Sequence, residues 1–80
     1  MSKYNTALTI LAVLYENSSS ENKLNQKAIG ERIKAKYNYK PDRQTIRRGI
    51  DDIIRVGFPI KYRSFSRGSE HIITDLYYEK

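Results

Sequence analysis

The stretch KPDRQTIRRGIDDIIRVG, Lys40 to Gly57, constrains the fold of this chain more than any other. Pro41 ends whatever precedes it, and Asp42 is a good N-cap, because its carboxylate accepts free backbone N–H groups of the next turn. Ile46, Ile50, Ile53 and Ile54 then fall at i, i+4, i+7 and i+8, one apolar stripe of an α-helix. The first two turns carry Arg43, Gln44, Thr45, Arg47 and Arg48 on the other side. Gly57, after Arg55 and Val56, is placed to take the left-handed conformation that closes a helix. A helix with its back in a core and guanidiniums and an amide on its front suits an anionic surface.

The 80 residues make one domain, near the lower limit for a chain that folds on its own core. A net charge of +6 makes a polyanion a natural partner, although basic small proteins are common. The mean hydropathy of -0.71 argues against a membrane protein. The longest apolar run, Ala7 to Tyr15, is far shorter than the roughly 20 residues that cross a bilayer. Lys3 ahead of that run faintly resembles a secretory signal, but no small-x-small cleavage site follows. Without cysteine there is no disulfide and no thiolate metal site, which fits a reducing cytoplasm, the expected location.

The periodicity predicts a first helix over about 4–16, with Tyr4, Ala7, Leu8, Leu11, Leu14 and Tyr15 facing inward and Ile10 and Val13 broadening the face. A face that wide implies cover on more than one side. Asn17 to Ser20 form a loop. A second helix over about 25–37 is capped by Asn25, with Ala28, Ile29, Ile33 and Tyr37 inward. Gly30 either weakens it or admits a close helix–helix approach. The third helix runs over 43–56. The period then changes to two, predicting strands over about 60–65 and 72–78 with Ser66 to Ser69 as the turn. Ile60 and Tyr62 share one side, and Ile72, Leu76 and Tyr78 alternate against Ile73, Asp75 and Tyr77. A lone hairpin is marginal in water, so this one must pack on the helices.

Three helices followed by a two-stranded hairpin is an α+β order, that of a winged helix-turn-helix. Leu24 to Tyr62 resembles the N-terminal DNA-binding domain of bacterial WYL-domain transcriptional regulators, relatives of the DeoR-type winged helices. That family shows D-R-x-T-[IV]-x-R-D-[IL] in its recognition helix and G-[FY]-P-I-x-Y at the entry to its wing. Asp42, Arg43, Thr45, Ile46, Arg48, Ile50, Gly57, Phe58, Pro59, Ile60 and Tyr62 stand in those places here. Two departures matter. Gly49 replaces the usual Asp, and the chain stops at Lys80, where such regulators continue into a sensor domain. It is either a trimmed regulator or a free-standing small protein.

The resemblance implies sequence-selective binding of double-stranded DNA in bacterial or phage transcriptional regulation, with helix 43–56 in the major groove. Arg43, Arg47 or Arg48 can pair bidentately with guanine and Gln44 with adenine, while Thr45 meets a phosphate or a thymine methyl, or serves as a capping residue. Arg32, Lys36 and Lys40 are candidate phosphate contacts, and Arg63 and Arg67 candidate wing contacts to the minor groove. For each of these the plain alternative is a solvated charge. A module this small binds modestly unless it forms a homodimer.

The tyrosines Tyr4, Tyr15, Tyr37 and Tyr62 are expected in the core, and one of Tyr77 and Tyr78 is expected to face out. No catalytic residue, metal or cofactor is expected. His71 is the only histidine, and the adjacent Asp51 and Asp52 point about 100° apart on a helix. The rival expectation is a protein-binding module that keeps the fold, such as a phage anti-CRISPR protein occupying a groove of a CRISPR effector nuclease.

Overall fold

Three capped helices and one hairpin account for the chain in the computed structural model, which describes residues 5–80. The order is α1 (Thr6–Asn17), α2 (Gln26–Tyr37), α3 (Arg43–Val56), β1 (Ile60–Arg67) and β2 (Glu70–Tyr78). This α+β layout matches a winged helix. Each helix starts on a side chain that accepts a backbone N–H three residues on: Asn5 from Leu8, Asn25 from Ala28 and Asp42 from Thr45. The first helix therefore begins at Thr6, and the expected start at Tyr4 lies outside the described residues. Asn38 closes α2 and Gly57 closes α3, both left-handed, the latter at φ 105°.

Ile10, Val13, Leu14, Leu24, Ile29, Ile33, Ile46, Ile50, Ile53, Ile60 and Leu76 form one core. The isoleucine stripe of α3 lies in it as expected, with Ile54 half-buried at its edge. Gly49 adds a contact that its helix propensity hides. A Cβ there would stand 2.6 Å from Ile10 Cδ1 and 3.4 Å from the Ala7 Cα, so the missing side chain is what lets α1 close on α3. Gly30 has the same use between α2 and α3, where a Cβ would meet Ile46 Cδ1 at 3.2 Å.

The hairpin is longer and tighter than its sequence suggests, joined by the two residues Gly68 and Ser69 rather than by Ser66 to Ser69. Its register slips once. Arg63 faces Asp75 while Ser64 faces Ile73, which leaves Thr74 as an extra residue whose hydroxyl donates to the Arg63 carbonyl at 3.1 Å. This bulge corrects the expected alternation of β2. Ile73, not Ile72, shares the inner side with Leu76 and packs on the core. Ile72 turns outward opposite Phe65, itself 47% exposed.

A further link ties the hairpin to the helices. Leu24, in the α1–α2 loop, exchanges two backbone hydrogen bonds of 2.9 Å with Leu76, a short third strand in effect. The buried hydroxyl of Ser18 accepts from the Tyr78 N–H at 2.9 Å and donates to the Leu14 carbonyl.

Several aromatic and aliphatic positions differ from expectation. Leu8 and Tyr15 are exposed, because α1 is covered on one side only. Tyr62 is also exposed, although Ile60 at the same end of β1 is buried in the core. Tyr37 is half-buried against the core as expected, and Tyr4 lies outside the described residues. Neither Tyr77 nor Tyr78 is fully exposed: Tyr78 meets Tyr15 edge-on at 5.0 Å, and the Lys23 ammonium lies over the Tyr77 ring. Among the described residues no helix is long and apolar enough to cross a membrane.

If Gly49 is required for close approach, Gly49→Ala loses stability despite alanine's better helix propensity, by about 1–3 kcal/mol through overpacking. Gly30→Ala costs less, because its new methyl comes no nearer than 3.2 Å to Ile46 Cδ1, against 2.6 Å to Ile10 Cδ1 at Gly49. Urea unfolding of the two variants checks this, and a Gly49→Ala protein as stable as the parent would refute it.

Candidate nucleic-acid interface

Helix α3 positions this site, and its first turn is held by Asp42. The Asp42 carboxylate accepts the Thr45 N–H at 2.7 Å, and the Thr45 hydroxyl and that N–H together hold its pKa below the ordinary value of 3.8, with the Arg48 charge adding to the effect. Thr45 is thereby engaged in capping, the structural alternative foreseen for it.

The core stripe fixes where the remaining side chains point. With successive residues about 100° apart, Gln44, Arg48 and Arg55 stand opposite Ile46, Ile50 and Ile53 and open straight to solvent. Arg43 and Arg47 lie on one flank and enter a cleft of about 620 Å³. Its other walls are the start of α2 (Asn25, Gln26 and Lys27), the α2–α3 turn at Lys40 and Pro41, and β2 from Glu70 and Ile72 to Thr74. Ile46 and Ile73 supply apolar surface there. Gln26 steadies the hairpin side of the cleft, its amide donating to the Ile73 carbonyl at 3.4 Å. Arg47 also borders a small gap with Asp51 and His71, yet stays exposed.

The structure thus brings Lys40, Arg43 and Arg47 around one cleft and sets Gln44 and Arg48 beside it. It joins to them Lys27, which is not among the candidates above although its spacing of three from Gly30 puts both on the side of α2 that meets α3. Arg55 is likewise not among them, although it follows Arg48 by two turns.

The other candidates lie elsewhere. Lys36 pairs with Glu16 of α1 at 2.7 Å, which raises the pKa of its ammonium. Arg32 reaches Asn17 at 3.4 Å, so both sit on the α1 side of α2. Arg63 holds Asp75 across the hairpin with two hydrogen bonds, which pull the Asp75 carboxyl below its usual range. Arg67 is exposed at the hairpin tip opposite Glu70. Among the described residues these two ion pairs are the only ones, and neither includes a cation of α3 or the cleft. No three His, Cys, Asp or Glu side chains among them gather to hold a metal ion.

Comparison of the chain with protein families, with curated proteins and with solved structures finds no match.

Because its folded pKa lies below the unfolded one, Asp42 stabilises the fold above the unfolded value and loses that contribution as pH falls through the folded value. Thermal unfolding followed from neutral pH to below 3.8 should therefore show a steeper acid loss in the parent than in Asp42→Asn, which keeps a capping oxygen without titrating. Asp42→Ala should lower Tm by several degrees at neutral pH. Equal acid responses of parent and Asp42→Asn would contradict this role.

Proposed function

We propose that the chain binds double-stranded DNA through α3, as the DNA-binding module of a bacterial or phage transcriptional regulator. The observation that carries this reading is the concentration of cations on one open side. Lys27, Lys40, Arg43 and Arg47 line the cleft with a single acid, Glu70, Arg48 stands beside it with its charge acting on Asp42, and none of the five cations is in an ion pair within 4 Å among the described residues. The positive end of the α3 dipole adds to their field. The resemblance of Asp42 to Ile50 and of Gly57 to Tyr62 to WYL-domain regulators supports the same reading.

On this reading the labour is divided by exposure. Gln44 and Arg48 stand proudest, where an adenine or guanine edge in the major groove can be met bidentately. Lys27, Lys40, Arg43 and Arg47 line the cleft beside them, and on this reading they hold the sugar-phosphate rail. The rival reading of a protein-binding inhibitor rests on the two departures from the family pattern, and the packing of Ile10 against Gly49 accounts for only that one of them.

Selection from a random duplex pool should yield a motif. Against it, Arg48→Ala should lose about 1–3 kcal/mol and relax the preference at one position. Lys40→Ala should instead weaken binding to all sequences alike and reduce the log–log salt slope by about 1. Failure to select any motif, with binding indifferent to Arg48→Ala, would remove the reading.

A further inference from the structure

The front of α3 is not wholly cationic. Ile46, Gly49, Ile50 and Ile53 are its buried residues, which puts the midline of the outward side near Gln44 and Arg55. Arg48 stands about 30° to one side of that midline and Asp51 about 30° to the other, the side of Arg47 and His71. Asp51 is exposed. Arg47 and Arg55 lie one turn away on either side, yet the Asp51 carboxylate is in no ion pair or hydrogen bond among the described residues. Gln44, Arg47, Arg48 and Asp51 fall at i, i+3, i+4 and i+7, offsets at which a helix in the major groove presents its base readers. An unpaired carboxylate in that set is a cost to any duplex that gives it no hydrogen-bond donor.

We propose, resting on the DNA-binding reading above, that Asp51 is a specificity-determining residue whose carboxylate accepts from the exocyclic amino group of a cytosine next to the base that Arg48 meets. The chemistry of the group selects the base. A carboxylate accepts hydrogen bonds and donates none. In the major groove guanine offers only the acceptors N7 and O6, and thymine the acceptor O4 beside a methyl group. Adenine sets an acceptor next to its amino group. Cytosine alone offers a donor without an acceptor on the same base. Spacing selects the position. Asp51 lies three residues beyond Arg48, about 4.5 Å along the helix, close to the rise of about 3.4 Å between base pairs.

The same carboxylate works against other sequences. Where no amino group meets it, it faces acceptor atoms and phosphates of its own sign. A chain with a net charge of +6 is drawn to any duplex, so a group that penalises the wrong one raises selectivity twice over. Asp52 provides the contrast. It stands about 70° from the midline on the side that turns towards Gly49 and α1, away from the base edges.

Duplexes selected by the parent should carry a cytosine beside the position whose preference Arg48→Ala relaxes. Asp51→Ala should bind that site about 5- to 150-fold more weakly and duplexes without the cytosine at least as tightly, a crossing that loss of fold cannot produce. N4-methylcytosine at the same place keeps its base pair but blocks the N–H that faces the groove. It should weaken the parent to the same degree and leave Asp51→Ala unaffected. Asp51→Asn should move the preference at that position from cytosine to adenine, whose donor and acceptor an amide meets together. Asp52→Asn should strengthen binding to every duplex alike and leave the motif unchanged. A motif that depends on Arg48 but is the same for the parent, Asp51→Ala and Asp51→Asn would overturn this proposal and leave the DNA-binding reading standing. Absence of any motif would remove both.

Discussion

Where α1 meets α3, Gly49 leaves a gap that Ile10 fills, and that contact settles how α3 is presented. A side chain there would displace either Ile10 or α1 itself, because its Cβ would stand 2.6 Å from the Cδ1 of that fully buried isoleucine. With Ile46, Ile50 and Ile53 drawn into the same core, the rotation of α3 about its own axis is fixed. Gln44 and Arg48 are then left pointing outward and Arg43 and Arg47 sideways, with no local element directing them. The cationic front is thus a consequence of how the apolar back is packed.

The hairpin extends the same logic. Two strands are marginal alone, and here the pair is fastened at its base by Leu24 on Leu76 and by the Ser18 hydroxyl under the Tyr78 N–H. Its far half is free of the core and carries exposed Phe65 and Arg67. The bulge at Thr74 lets β2 present Ile73 inward near the helices and turn Ile72 out beyond it. Both isoleucines reach the rim of the cleft, so the slip in register is also what shapes the hairpin wall beside Arg43 and Arg47.

Much of this was legible in the sequence, because α3 has a strong apolar period, a capping Asp and a terminal Gly that all agree. Element order followed from the change of period after Gly57. What escaped was non-local. The bulge depends on pairing between strands, which alternation along one strand cannot report, so Ile72 and Ile73 were exchanged. The exposure of Leu8 and Tyr15 could not be foreseen because α1 is apolar all round and its period names no outer side. Among the charges, Arg32 and Lys36 are expected at the phosphates because they lie on the second helix, which crosses the backbone in a helix-turn-helix. Their partners Asn17 and Glu16 lie on a helix that the sequence cannot place, whereas Lys27 was brought to the cleft by the Gly30 contact.

The central claim is that a duplex meets the start of α3 and no other surface. Backbone amide NMR shifts, followed as a selected duplex is added, test it most directly. The account predicts perturbations grouped over Lys27 and Lys40 to Arg48, with Arg32, Lys36 and the outer side of α1 unmoved. Shifts centred on α1 or on the outer side of the hairpin, with those of Lys40 to Arg48 unchanged at saturation, would contradict it.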